Sequence, residues 1–134
     1  MIERFEPGGE FAHLRVTPDR YVPHRYAGAS LDFNPMHIDP EFARAAGLEG
    51  NLLHGMYTFG LVARAHTEAA GDPRALRALE GEFRAMAFPE REITVRATVA
   101  EADGDRIVTG VVAVQEDREV IGNASAELEL GTTD

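Results

Sequence analysis

Between Gly55 and Ala70 the sequence sets apolar residues on every side of a helix axis, for Met56, Tyr57, Phe59, Leu61, Val62 and Ala63 do not share one stripe. A helix that is apolar nearly all round is buried on most of its sides. The polar residues Arg64, His66, Thr67 and Glu68 come only near its end, where it is expected to emerge. A chain of 134 residues has material for one core and little more. The rest of the chain therefore has to wrap this helix. Four downstream segments are suited to wrapping it, namely Leu76 to Ala87, Glu92 to Ala102, Arg106 to Gln115 and Val120 to Leu130. They are rich in Val, Ile, Thr and Ala, with approximate alternation. Asp103-Gly104-Asp105 reads as a hairpin turn and Glu116-Asp117-Arg118 as a second short polar turn. Phe11 to Val16 reads as a first, short strand. The expected class is α+β, a strongly curved antiparallel β-sheet wrapped around a long central α-helix, as a single domain over residues 1–134.

The N-terminal half carries helix and loop signals. Thr17-Pro18-Asp19 reads as a helix start running to about Tyr26 or Ala27, with Pro23 kinking or shortening it. From Gly28 to Pro40, polar residues and two prolines exclude a continuous helix or a central strand and predict an ordered loop. Asp39-Pro40-Glu41 restarts a helix, with Asp39 as cap and Gly47 as stop.

Composition removes several function classes. Thirteen basic against 23 acidic residues leave a net charge of −10. That opposes non-specific nucleic-acid binding and adsorption to an anionic membrane. With no cysteine there is no disulfide framework, thiolate chemistry, Cys-based zinc site or iron–sulfur cluster. No signal-peptide-like apolar run stands at the N-terminus, and Leu52 to Ala65 is too short to span a bilayer. The expectation is a cytoplasmic protein.

The candidate chemistry lies in the Ser30–Asp39 loop. Asp32 and His37 are five apart with Asn34-Pro35 between them. Proline fixes such a loop at little entropic cost, and a carboxylate and an imidazole held together can share one water and exchange protons with it. Ser30 and Asn34 are suited to support the pair through hydrogen bonds. The same residues also fit a capped turn with a packed histidine. His54-Gly55 opens the central helix, where backbone N–H groups lack intrahelical acceptors and Gly lets a ligand approach closely. There, too, simple tight packing is an alternative. His37, Asp39 and His54 are conceivable metal ligands, but Asp39 serves better as a cap, and no metal is expected. His13, His24 and His66 read as surface or packing residues.

Tyr26-Ala-Gly-Ala-Ser30-Leu-Asp32-Phe-Asn34-Pro35-Met-His37-Ile-Asp39-Pro40 closely resembles the signature of the MaoC-like, (R)-specific enoyl-CoA hydratase family. Leu53-His54-Gly55-Met56-Tyr57-Thr58-Phe59-Gly60 resembles its second element, and Phe83-Arg84-Ala85-Met86-Ala87-Phe88-Pro89 a third. The resemblance implies the hotdog fold. It also implies Asp32 and His37 as the catalytic pair, the Gly55 N–H in an oxyanion hole, and Ser30 and Asn34 as supporting residues. Met56, Ala63, His66 and Arg84 are candidates for substrate contacts, His66 with Ala63 lying toward an acyl tunnel. Leu31 stands where the signature has Gly, Met86 where it has Pro, and Glu90 where it has the Gly after Pro89.

The implied reaction is reversible hydration of a trans-2-enoyl thioester to an (R)-3-hydroxyacyl thioester. Its carrier is coenzyme A or an acyl carrier protein, and no cofactor is required. Arg84, Arg91 and Arg96 are the candidates to gather positive charge for an anionic carrier. The expected assembly is a homodimer, or a heterodimer with another hotdog subunit. Three other readings are a hotdog thioesterase, a non-catalytic partner subunit and an acyl-thioester binding module.

Overall fold

The computed structural model describes residues 5–131. Strand β1 (Glu10–Val16) leads into four helices, α1 (Val22–Ser30), α2 (Pro35–Ile38), α3 (Pro40–Ala45) and α4 (Gly55–Ala70). Strands β2 (Leu76–Phe83), β3 (Ile93–Asp103), β4 (Arg106–Gln115) and β5 (Arg118–Glu129) follow. They form one antiparallel sheet in the order β1-β3-β4-β5-β2. The register slips in all four strand pairs. An unpaired extra residue bends a strand and increases its twist, so the sheet curls. Helix α4 touches all five strands. This is the hotdog arrangement, an α+β fold.

Alternation is cleanest on β4, where Ile107, Thr109, Val111, Ala113 and Gln115 are buried and the residues between them are not. The apolar members of this row join Ile93, Val95, Ala97 and Val99 of β3 in one cluster with Leu61, Val62 and Ala65 of α4. The β4–β5 turn is only Glu116-Asp117, both with positive φ (50° and 62°), and Arg118 already belongs to β5. Two left-handed residues match the twist of a two-residue hairpin.

Three expectations change. The first helix begins at Val22, not at Thr17-Pro18, because the Asp19 carboxylate takes the Tyr21 N–H (2.8 Å) and turns the chain before the helix starts. Pro23 therefore sits in the first turn, where its missing N–H costs nothing, and kinks nothing. The Gly28–Pro40 segment is not loop throughout: α1 persists to Ser30, and Asn34-Pro35 starts the one-turn helix α2. Helix α4 is not enclosed on all sides by the described residues. Thr58, Leu61, Val62, Ala65 and His66 form its buried stripe, while Met56 is 57% exposed. The sheet covers one face of α4 and its curl does not close around the other. The leader reading at the N-terminus includes residues 1–4, outside the described residues.

His66 belongs to that buried stripe and to no cleft at the Asp32/His37 pair. Its Nδ1–H donates to the Val62 carbonyl (2.7 Å), so Nε2 accepts from the Thr109 hydroxyl (2.8 Å). Phe11 stacks on the ring. The substrate-contact reading of His66 is thus corrected: both nitrogens are spent inside the core. Ala63 also lines neither cleft.

Burial holds His66 below the ordinary histidine range, against the opposing pull of the Val62 carbonyl. Below about pH 6.5 the unfolded chain binds a proton at this residue that the folded chain resists, so its contribution to stability is complete above that pH and falls as pH drops. Urea unfolding at about pH 7.5, 6.5 and 5.5 should show stability declining with acidification. The decline should be shallower in His66→Gln; equal slopes would remove His66 as a source of the pH dependence.

Candidate functional site

Local folding rules bring the site together. α1 ends at Leu31, which takes the left-handed conformation (φ 67°) and turns the chain toward Asp32. The Ser30 hydroxyl accepts the Asp32 N–H (3.2 Å), and Asp32 Oδ1 accepts the Asn34 N–H (3.3 Å). The Asn34 side chain then caps α2 by accepting the Met36 N–H (3.0 Å), with Pro35 in the first turn. Three successive side-chain-to-backbone bonds thus set the path from Ser30 to His37. The Leu52 N–H and the Asn51 amide both donate to the Met36 carbonyl (3.0 and 3.1 Å), fastening α2 to the segment before α4.

His37 Nδ1 lies 2.8 Å from the Leu52 carbonyl. A carbonyl only accepts, so Nδ1 carries the hydrogen and, in the neutral ring, Nε2 presents a lone pair. Asp32 Oδ2 stands 3.9 Å from that Nε2. The distance exceeds a direct hydrogen bond, but it is one that a water to the side of the pair, about 2.8 Å from each atom, can bridge. His37 is nearly buried (12% side-chain exposure) and Asp32 half exposed (55%), so the pair faces solvent from the carboxylate side.

Two clefts meet at this pair. One, about 450 Å³, is lined by His37, Leu53, Gly55, Thr58, Phe83 and Met86, among others. The other, about 400 Å³, is lined by Tyr26, Ser30, Asp32, His54, Gly55, Met56 and Phe83. Gly55 and Phe83 border both. Gly55 is the first residue of α4, where the N–H groups have no intrahelical acceptor. A Cβ on Gly55 would stand 3.0 Å from the Phe83 ring, so the glycine lets that ring lie against the helix mouth. Burial raises the Tyr57 phenol above its ordinary range, and it stays protonated at neutral pH beside Tyr26.

The structure therefore gathers Asp32, His37, Gly55, Ser30, Asn34 and Met56 in one place. Arg84 lines the larger of the two clefts but is bonded to Glu82 (2.7 Å). The expected basic cluster of Arg84, Arg91 and Arg96 does not form. Arg91 is held between Glu49 and Glu116, and Arg96 is exposed on β3 opposite His13. Arg91 lines a separate cavity of about 670 Å³ together with Arg20, Arg44, Glu49 and Glu90. That cavity is bordered by Gly50, Asn51 and Phe88, with Asn51 and Phe88 next in the chain to Leu52 and Ala87 of the first cleft.

Sequence reasoning does not single out His54 as a partner of the pair. Its Nε2–H donates to the Asp32 carbonyl (3.0 Å), and its ring stacks on His37 with centroids 3.8 Å apart and planes 16° from parallel. Its Nδ1 is buried without a partner, which typically costs about 1–3 kcal/mol. The sequence offers one signal, a histidine directly before the glycine that opens the helix; in the structure it holds the cap position, but its side chain makes no cap bond. Asp32, His37 and His54 lie close enough to suggest a metal ion. However, imidazole lone pairs lie in the ring plane, and two nearly parallel stacked rings cannot both aim at one ion without rotating. Asp39 instead caps α3 by accepting the Glu41 and Phe42 N–H groups.

Leu31 and Glu90, two of the positions where the resemblance expects other residues, both have left-handed backbone (φ 67° and 69°). A side chain there costs roughly 1 kcal/mol that glycine avoids. Leu31→Gly and Glu90→Gly should each raise stability by about 1 kcal/mol in chemical denaturation. A loss of that size in both would contradict the backbone assignment.

Comparison with known proteins adds a family match: the sequence pattern described as "MaoC like domain" fits residues 6–120. The enoyl-CoA hydratase ChsH3 of Mycobacterium tuberculosis is 35% identical over 110 residues, 81% of this chain, yet the chain spans only 36% of that protein. A solved structure titled MaoC-like dehydratase superposes with a TM-score of 0.88 at 26% identity, covering 97% of this chain and 42% of the other. An (R)-hydratase from A. caviae involved in PHA biosynthesis has a TM-score of 0.84 at 21% identity, covering 94% of this chain and 97% of the other. At that identity the likeness concerns the fold.

Proposed function

Since this chain belongs to the MaoC-like domain family, we propose that it hydrates trans-2-enoyl thioesters reversibly to (R)-3-hydroxyacyl thioesters, with Asp32 and His37 as the reacting pair. The 3.9 Å gap between two acceptor atoms is the observation that carries this reading. An ionised Asp32 and a neutral His37 both accept, so each takes one hydrogen of the shared water. The water's oxygen lone pairs are then directed outward, toward C3 of the substrate. As the oxygen bonds to C3, one water proton passes to the pair and one proton is returned from the pair to C2. The two groups act as one coupled unit. Negative charge moves to the thioester oxygen, where the Gly55 N–H and the start of α4 oppose it. A donor of this kind can be worth about 3–4 kcal/mol. The enzyme is a hydro-lyase on this reading. The name of the M. tuberculosis relative, an enoyl-CoA hydratase, supports it.

No bound cofactor or metal takes part in these steps; coenzyme A or an acyl carrier protein enters as the substrate's carrier. In the first case the carrier phosphates meet Arg20 and Arg44, which, unlike Arg91, make no ion pair with a carboxylate among the described residues. Strand β2 leaves one edge of the sheet uncovered among the described residues. Together with the exposed Phe83 and Met86 beside it, this edge supports a dimer as the working form.

Turnover of crotonyl-CoA, with chiral analysis of the product, tests the reading; release of free thiol instead would assign a thioesterase. Asp32→Asn and His37→Ala should each lower kcat by about 10²- to 10⁴-fold with melting temperature little changed, and near-normal turnover in either would defeat the assignment. A combined Arg20→Gln/Arg44→Gln variant should raise KM for a CoA thioester about three- to tenfold. It should leave KM for the matching pantetheine thioester, which lacks the nucleotide, where it was. An equal rise for both would place the arginines elsewhere in the mechanism.

A further inference from the structure

We infer that His54 is a positioning residue that holds Asp32 and His37 in reacting register with the mouth of α4. The inference rests on the reading of Asp32 and His37 as the reacting pair. His54 is 3% exposed and occupies the cap position of α4, but its side chain makes no cap bond. It turns to the loop instead. One nitrogen donates to the carbonyl of Asp32 itself, 3.0 Å away. One ring face lies against His37 at 3.8 Å. Tyr26 of α1 packs on the same imidazole at 4.7 Å. Gly55 follows it in the chain, so the peptide joining His54 to Gly55 carries the N–H proposed for the oxyanion.

A single residue thus joins the three groups proposed for the reaction. It ties the carboxylate's backbone, the imidazole's plane and the helix mouth to one another, across 22 residues of sequence from Asp32. Packing alone does not account for an imidazole here. A ring without nitrogen would fill the space between Tyr26 and His37 and would remove the buried, partnerless Nδ1. What the imidazole adds over such a ring is the N–H to Asp32. Both features are needed for register: the stack sets the plane of His37, and the N–H sets the height of Asp32.

Three variants separate the contributions. His54→Phe keeps a ring and loses the N–H; His54→Gln keeps an N–H and loses the ring; His54→Ala loses both. In crotonyl-CoA turnover, His54→Ala should lower kcat about a hundredfold or more with KM within about threefold, the size of effect that a misplacement near 1 Å produces. His54→Phe and His54→Gln should fall between it and the wild type. His54→Phe should melt at or above the wild-type temperature, so that its loss of turnover is not a loss of fold.

Turnover within about threefold of wild type in both His54→Phe and His54→Gln would overturn the inference. So would a rise in KM with kcat unmoved, or a kcat loss confined to variants that melt early. Crystal structures of His54→Phe and His54→Ala give a second readout that needs no activity. The Asp32–His37 approach should lengthen or the His37 ring should rotate, and an unchanged arrangement would overturn the inference. If the wild type turned over no enoyl thioester, the proposed reaction would fail, while the variant structures would still decide whether His54 holds the pair.

Discussion

The bond from His37 Nδ1 to the Leu52 carbonyl governs the rest of the site. It fixes which ring nitrogen bears the hydrogen and therefore which one faces Asp32. It also joins the Ser30–Asp39 segment to the approach of α4, two stretches the chain separates by a whole helix. The Met36 carbonyl, which receives both the Leu52 N–H and the Asn51 amide, makes the same junction from the opposite direction. With both stretches fastened, the loop that bears the carboxylate and the imidazole is ordered in folding. For the reaction proposed above, that ordering is entropy lost during folding and not during the chemical step.

Much of this is legible in the chain. The central helix begins at Gly55 and ends at Ala70, with Gly71 in the left-handed conformation after it, because a helix stop of this kind has a local chemical cause. The strands are legible because one buried face imposes alternation. Asp39-Pro40 announces a helix start, and α3 begins there. Asn34-Pro35 is the same cap-then-proline pair five residues earlier, but it lies inside a stretch whose composition says loop. Two starts so close together leave room for a single turn only, and one turn is too short to leave a periodic pattern. The start of α1 escapes for a different reason: Asp19 forms a turn that competes with Thr17 as a cap.

What the sequence hides are relations between distant residues. His66 and Thr109 are 43 positions apart and their hydrogen bond has no local signature. The same holds for His54 and Asp32. The helix stripe misleads in another way: apolar residues around an axis state that burial is wanted but not who supplies it. The uncovered side of α4 and the exposed edge of β2 both belong to this category. Charge misleads too, since arginines near one another in the chain suggest one basic group. In the folded chain each of Arg84 and Arg91 has a glutamate of its own.

Phe83 closes β2 with its ring against the backbone of Gly55, more than half exposed and bordering both hollows at the Asp32/His37 pair. It stands as a partition. Its ring is a wall common to the two hollows, so its bulk sets how the room beside Gly55 is divided between them. On the proposed function, bulk at position 83 is a dial on the shape of the acyl thioester admitted, set apart from the atoms that do the chemistry.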